Sequence, residues 1–104
     1  MRRSDYEILH VYAPVTWHDE AGIVGTRDAL VALRAAIDDA LANRQSTFET
    51  FVADGEGYDL HVVCVEPEDL DGIEYPYTHP FAQSHLAPWT ELLAVPPSVN
   101  HAQT

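Results

Sequence analysis

The stretch "TRDALVALRAAIDDALAN" constrains this chain more than any other. Leu30, Leu33, Ile37, Ala40 and Leu41 recur at spacings of three and four, which puts them on one stripe of an α-helix and on no single face of a strand. The spacing predicts a helix from about Arg27 to Ala42. Thr26 suits its N-cap, because its hydroxyl can accept from an otherwise orphaned amide, and Asp28 stands in the first turn, where the helix dipole favours an anion. Asn43 is the expected left-handed terminator. An amphipathic helix needs a surface to cover, and the flanking sequence supplies one.

On the N-terminal side, "YEILHVY" alternates Tyr6, Ile8, His10 and Tyr12 with Glu7, Leu9 and Val11, the pattern of a strand that Pro14 ends. "PVTWHDE" then makes a loop, and "AGIVG" is a second strand expected to pair with the first as a hairpin. Beyond the helix, two strands are expected near Thr47 to Ala53 and Tyr58 to Glu66, joined at "DGEG", whose glycines supply the positive φ angles of a tight loop. In the second of these Tyr58, Leu60, Val62 and Cys64 share one face, and Asp59, His61, Val63 and Val65 the other. Cys64, the one cysteine, reads as a small buried hydrophobe. After Glu66 the periodicity stops and prolines stand at 67, 76, 80, 88, 96 and 97. "PWTELLAV" is expected to form one or two helical turns with Pro88 at N1. The expected fold is α+β, one domain over residues 1–104. It has a mostly antiparallel sheet of about four strands in the order β-β-α-β-β, one main helix across one face, and a Pro/Tyr-rich tail with a short helix near the other.

Charge narrows the function. The 104 residues are 46% apolar, which argues for a packed core despite a net charge of -12. The basic residues are all arginines, none lies beyond Arg44, and ten acids follow Gln45. Such a field repels nucleic acid and anionic membranes and attracts basic proteins. The absence of lysine excludes Schiff-base chemistry and lysine-dependent phosphoryl transfer. No run approaches the roughly 20 apolar residues of a membrane span, and "MRRSDYEILH" lacks the pattern of a signal peptide. A cytoplasmic protein is expected, with no membrane partner.

The segment "EPEDLDGIEYPYTHPF" holds the densest chemistry. Its "DLDG" suggests a calcium loop, but setting Gly72 at the sixth position puts Pro67 and Thr78 where the first and twelfth ligands belong, so that reading fails. The histidines have neither the i, i+4 helical pair nor the Cys/His spacing of zinc sites, and the serines sit in no nucleophile-elbow context. No cofactor and no metal is expected. Tyr75, Tyr77, His79, Phe81 and Trp89 are instead amphipathic anchors of the kind that concentrate at interfaces, and Glu66, Glu68, Asp69, Asp71 and Glu74 surround them with negative charge. The alternative is that these aromatics fold back over the sheet and complete the core.

The runs "IVGTRDALVALRAAIDDAL" and "DGEGYDLHVVCVE" give this chain a resemblance to small bacterial immunity proteins of polymorphic toxin systems. It covers about half of the chain: a short strand ending in Gly and a small polar residue, a Leu-rich helix, and a strand hairpin. The chain has Thr26 where Asn or Asp is usual before the helix, and Ala29-Leu30 where Gly-Leu is usual within it. The resemblance implies noncatalytic inhibition of a toxin domain by covering its active site. The expected function is therefore an acidic, non-enzymatic binding protein for a basic partner, acting through Glu66 to Phe81 with the loop around Trp17 and His18. Homodimerisation is left open. The rival is a small His/Asp-dependent enzyme or metal protein using His18, Asp19 and His61, acting as a dimer; a nucleic-acid mimic is disfavoured because the acids gather in loops.

Overall fold

The computed structural model describes residues 7–77 and 86–93. The elements run β1 (Leu9–Tyr12), β2 (Gly22–Gly25), α1 (Arg27–Asn43), β3 (Gln45–Phe51) and β4 (Gly57–Val63), followed by two 3-10 turns, Pro67–Leu70 and Trp89–Leu92. The chain is thus α+β, in the β-β-α-β-β order that the patterning predicts. Its strands form two antiparallel ribbons, β1-β2 and β3-β4, in place of one four-stranded sheet. A single parallel bridge, Ile8 to Phe51, joins them. There the Phe51 N–H donates to the Glu7 carbonyl at 3.1 Å, and the Thr50 hydroxyl donates to the same oxygen.

The helix begins where its cap predicts. Thr26 has extended backbone angles and its Oγ1 accepts from the Ala29 N–H at 3.3 Å, while the Thr26 N–H donates to the Ile8 carbonyl at 2.9 Å and so fixes the helix start to β1. The left-handed residue at the other end is Arg44 (φ 80), not Asn43. Asn43 remains helical and donates its amide to Asp39 Oδ1 at 2.6 Å. The Arg44 N–H closes the last turn on Ala40, and β3 starts at the next residue, so α1 and β3 are antiparallel neighbours.

The helix seats itself through small residues. Ala29, Ala36 and Ala40 are buried, and the Ser46 hydroxyl of β3 donates to the Ala36 carbonyl at 2.6 Å. The expected apolar stripe is only partly buried: Ala40 is buried and Leu33 half-buried, whereas Leu30, Ile37 and Leu41 are 42%, 43% and 67% exposed. Alanines bring the helix backbone close to the strand, and the larger side chains one position further on are turned outward. Leu9 is fully buried and is the largest buried apolar residue among the described ones. Its seat depends on Gly25, where a Cβ would stand 2.7 Å from Leu9 Cδ1 and 3.0 Å from the Ile8 carbonyl oxygen.

The β3-β4 hairpin pairs Gln45 with Val63 through Phe51 with Gly57, and Gly55 (φ 98) makes the turn. Tyr58, Leu60 and Val62 stand opposite Thr50, Phe48 and Ser46 on the helix face, as the alternation predicts. Cys64 does not follow its pattern. It lies just past β4, exposed, with its N–H on the Arg44 carbonyl at 2.8 Å. On the opposite face His61 accepts or donates at Thr47 Oγ1 (2.8 Å) and meets the Trp89 ring at a centroid distance of 6.0 Å. Part of the tail therefore covers that face. Trp89–Leu92 is a 3-10 turn with Pro88 at the N-cap, one position before the expected N1.

Candidate functional site

The tail is built from its acids as much as from its aromatics. Asp69 Oδ2 accepts from the Glu66 N–H at 3.0 Å and the Asp69 N–H donates to the Glu66 carbonyl at 2.9 Å, so the Pro67–Leu70 turn is closed at its start. The same carboxylate pairs with Arg44 at 3.5 Å, tying this turn to the end of α1. Gly72 (φ 78) then redirects the chain. Ile73 bridges Ala87 in parallel, with Glu74 N–H on the Ala87 carbonyl and Ala87 N–H on the Gly72 carbonyl, both at 2.8 Å. Glu74 Oε2 accepts from the Trp89 N–H at 2.8 Å. Asp69 and Glu74 thus have structural partners, and the exposed Glu66 closes the capping box of its turn by accepting from the Asp69 backbone, whereas Glu68 and Asp71 present their side chains to solvent.

Above this scaffold Tyr75 and Tyr77 lie against one another, ring centroids 6.3 Å apart at 57°. Tyr75 is 58% exposed. With Ala13, Glu74, Pro76 and Trp89 they line a hollow of about 440 Å³. A second hollow, about 600 Å³, lies between the β1-β2 hairpin and Pro76, lined by Val11, Tyr12, Ala13, Pro14 and Ile23 among others. The two share Ala13 and Pro76, so they form one apolar furrow with the exposed tail acids on the segment that leads into it. The tyrosines are therefore neither wholly inward nor wholly outward: they edge a depression between tail and hairpin.

Trp17 and His18 sit apart from it. Their loop is a tight turn in which the Asp19 N–H donates to the Thr16 carbonyl at 3.3 Å, Asp19 Oδ2 accepts from the Thr16 N–H at 3.2 Å, and His18 takes φ 71. Trp17 is 55% exposed, yet neither residue lines the two hollows. His79 and Phe81 lie outside the described residues. The furrow's hairpin wall, Val11, Tyr12, Pro14 and Ile23, was not legible as part of a site. Tyr12, two residues before the break at Pro14, is the one local hint.

His10 is committed elsewhere. Its Nε2 accepts from the Ala53 N–H at 2.9 Å, which leaves the proton on Nδ1 to be donated to the Tyr12 hydroxyl at 2.7 Å. His18, Asp19 and His61 are not brought together as a metal site, and among the described residues no three His, Cys, Asp or Glu side chains are placed to hold a metal ion. Burial raises the pKa of Tyr58 above the ordinary 10.0. Its hydroxyl donates to the Leu9 carbonyl at 2.6 Å, a link between the two ribbons. No described helix is long and apolar enough to cross a membrane. No protein-family model matches the sequence, and comparison with curated proteins and with solved structures gives no match.

Proposed function

We propose that this chain is a noncatalytic binding protein that captures a basic protein partner, in the manner of an immunity protein that neutralises a toxin domain in the cytoplasm. The observation that carries the reading is the furrow edged by Tyr75, Tyr77 and Trp89 and approached through Glu66, Glu68 and Asp71. Aromatic side chains at a concave, partly apolar surface are the anchors that dominate protein interfaces, and neighbouring carboxylates speed the approach of a cationic surface. The net charge of -12 extends that attraction beyond the contact area. Two of the expected steering acids, Asp69 and Glu74, serve this reading by holding the scaffold rigid, which lowers the ordering cost of docking.

The test is coexpression with the product of the gene immediately upstream, read as rescue of growth and as affinity of the purified pair. Tyr75→Ala is expected to weaken binding by about 2 kcal/mol, roughly thirtyfold in Kd. Asp71→Arg is expected to act on the association rate. An unchanged affinity for both variants would remove the site assignment, and an upstream product that is neither toxic nor bound would remove the function.

A further inference from the structure

We infer that β4 is the interface of a two-fold dimer, in which the strand pairs antiparallel with β4 of a second copy about Leu60. The residues of β4 divide cleanly by backbone direction. The Val52 N–H reaches the Glu56 carbonyl and the Cys64 N–H the Arg44 carbonyl, and the register in between is regular. Even-numbered residues of β4 therefore direct their N–H and C=O groups at β3, and Gly57, Asp59, His61 and Val63 direct theirs away from it. Among the described residues no backbone group or side chain pairs with the amides or carbonyls of those four along that edge. A seven-residue edge without proline, rich in β-formers, is a template for another strand.

The sequence of that edge is complementary to itself. Antiparallel pairing centred on Leu60 sets Gly57 opposite Val63 and Asp59 opposite His61 of the other copy. All four are the residues whose backbone groups point outward, so every outward group finds a partner. The one acid on the strand then faces the one imidazole, on both sides of the axis. Shifting the register by one residue would set inward-pointing groups against outward-pointing ones and lose the ladder.

The helix supplies the second half of the interface. Side chains of Ser46 and Thr50 face α1, and for L-residues seen from that face with β3 running upward, β4 lies to the right. In front of it α1 runs downward, and a right-handed helix carries each successive residue about 100° clockwise when seen from its N-terminus. Leu30, Ile37 and Leu41 each follow a buried alanine by one position, so they lean to the same right-hand side, over β4 and its edge. One two-fold axis through Leu60 thus brings together two unpaired strand edges and, above them, two apolar helix flanks that are 42% to 67% exposed in the single chain. The same operation covers both. The furrow adjoins this contact through Trp89, which packs on His61, but the inference rests on the strand edge and the helix flank and does not depend on the function proposed for the furrow.

Light scattering of the purified chain should give a dimer mass. Asp59→Pro removes only an outward N–H, which a strand edge tolerates, and should yield a folded monomer with an unchanged circular dichroism spectrum. Ile37→Arg, on the exposed helix flank, should weaken dimerisation at least tenfold with the fold intact. In a Cys64→Ser background, Leu60→Cys should form an interchain disulfide on mild oxidation, because residues at the axis of a non-hydrogen-bonded antiparallel pair stand close; Asp54→Cys should not. A wild-type monomer throughout the concentration range would overturn the inference. So would a dimer that survives both Asp59→Pro and Ile37→Arg and is not trapped through position 60.

Discussion

Tyr58 joins the ribbons with a single hydroxyl, and its burial raises its pKa above 10.0. The native state therefore keeps the phenolic proton at pH values where the unfolded chain has begun to lose it. The sign follows: the contribution of Tyr58 is whole below the ordinary tyrosine pKa and is lost as pH rises through the native value. Tyr58→Phe should cost about 1 kcal/mol at neutral pH by leaving the Leu9 carbonyl without its donor. Above pH 10 the gap between wild type and variant should narrow, as followed by urea denaturation across pH. A second residue-scale expectation concerns Gly25. Gly25→Ala sets a methyl against Leu9 and the Ile8 carbonyl, and should destabilise by about 1–3 kcal/mol because backbone is among the atoms that would have to yield.

Among the elements, α1 was the most legible in sequence, and also the one whose face was misjudged. Its existence followed from periodicity and its start from Thr26, since a hydroxyl cap is a local interaction between residues three apart. Thr26→Ala should cost about 1 kcal/mol in thermal denaturation. Which stripe is buried is not local. Ala29, Leu33, Ala36 and Ala40 make the inner stripe, and Leu30, Ile37 and Leu41 follow the buried alanines by one position; the close approach to β3, marked by the Ser46 contact with Ala36, selects the alanine side. The hairpin strands were legible from alternation and "DGEG", whereas the division into two ribbons depends on the Ile8 to Phe51 bridge, which joins residues far apart in sequence. For the tail, the reversal of the prolines' local signals into a scaffold rests on Glu74 and Asp69 finding Trp89 and Arg44. Composition showed an acidic, aromatic segment there. It could not show that the opposite wall of the furrow comes from β1 and β2.

At the scale of the whole molecule, the net charge of -12 and the concentration of arginines before residue 45 give the chain a polarised field. Association with a basic partner should slow by about tenfold or more from low to high salt, as stopped-flow measurement would read it. The junction between the ribbons has a different consequence, in the kinetics of opening. Among the described residues the β1-β2 hairpin is tied to the rest through buried Leu9, one bridge, the helix-start bond to Ile8, the Thr50 and Tyr58 hydroxyls and His10, whereas α1, β3 and β4 protect one another. Amide protons of β1 and β2 should therefore exchange with solvent through local fraying, faster than those in the centre of β3, which should wait for global unfolding. The wall of the furrow formed by the hairpin would then breathe against a tail anchored to α1 and β4, and the width of the depression would be set by that motion.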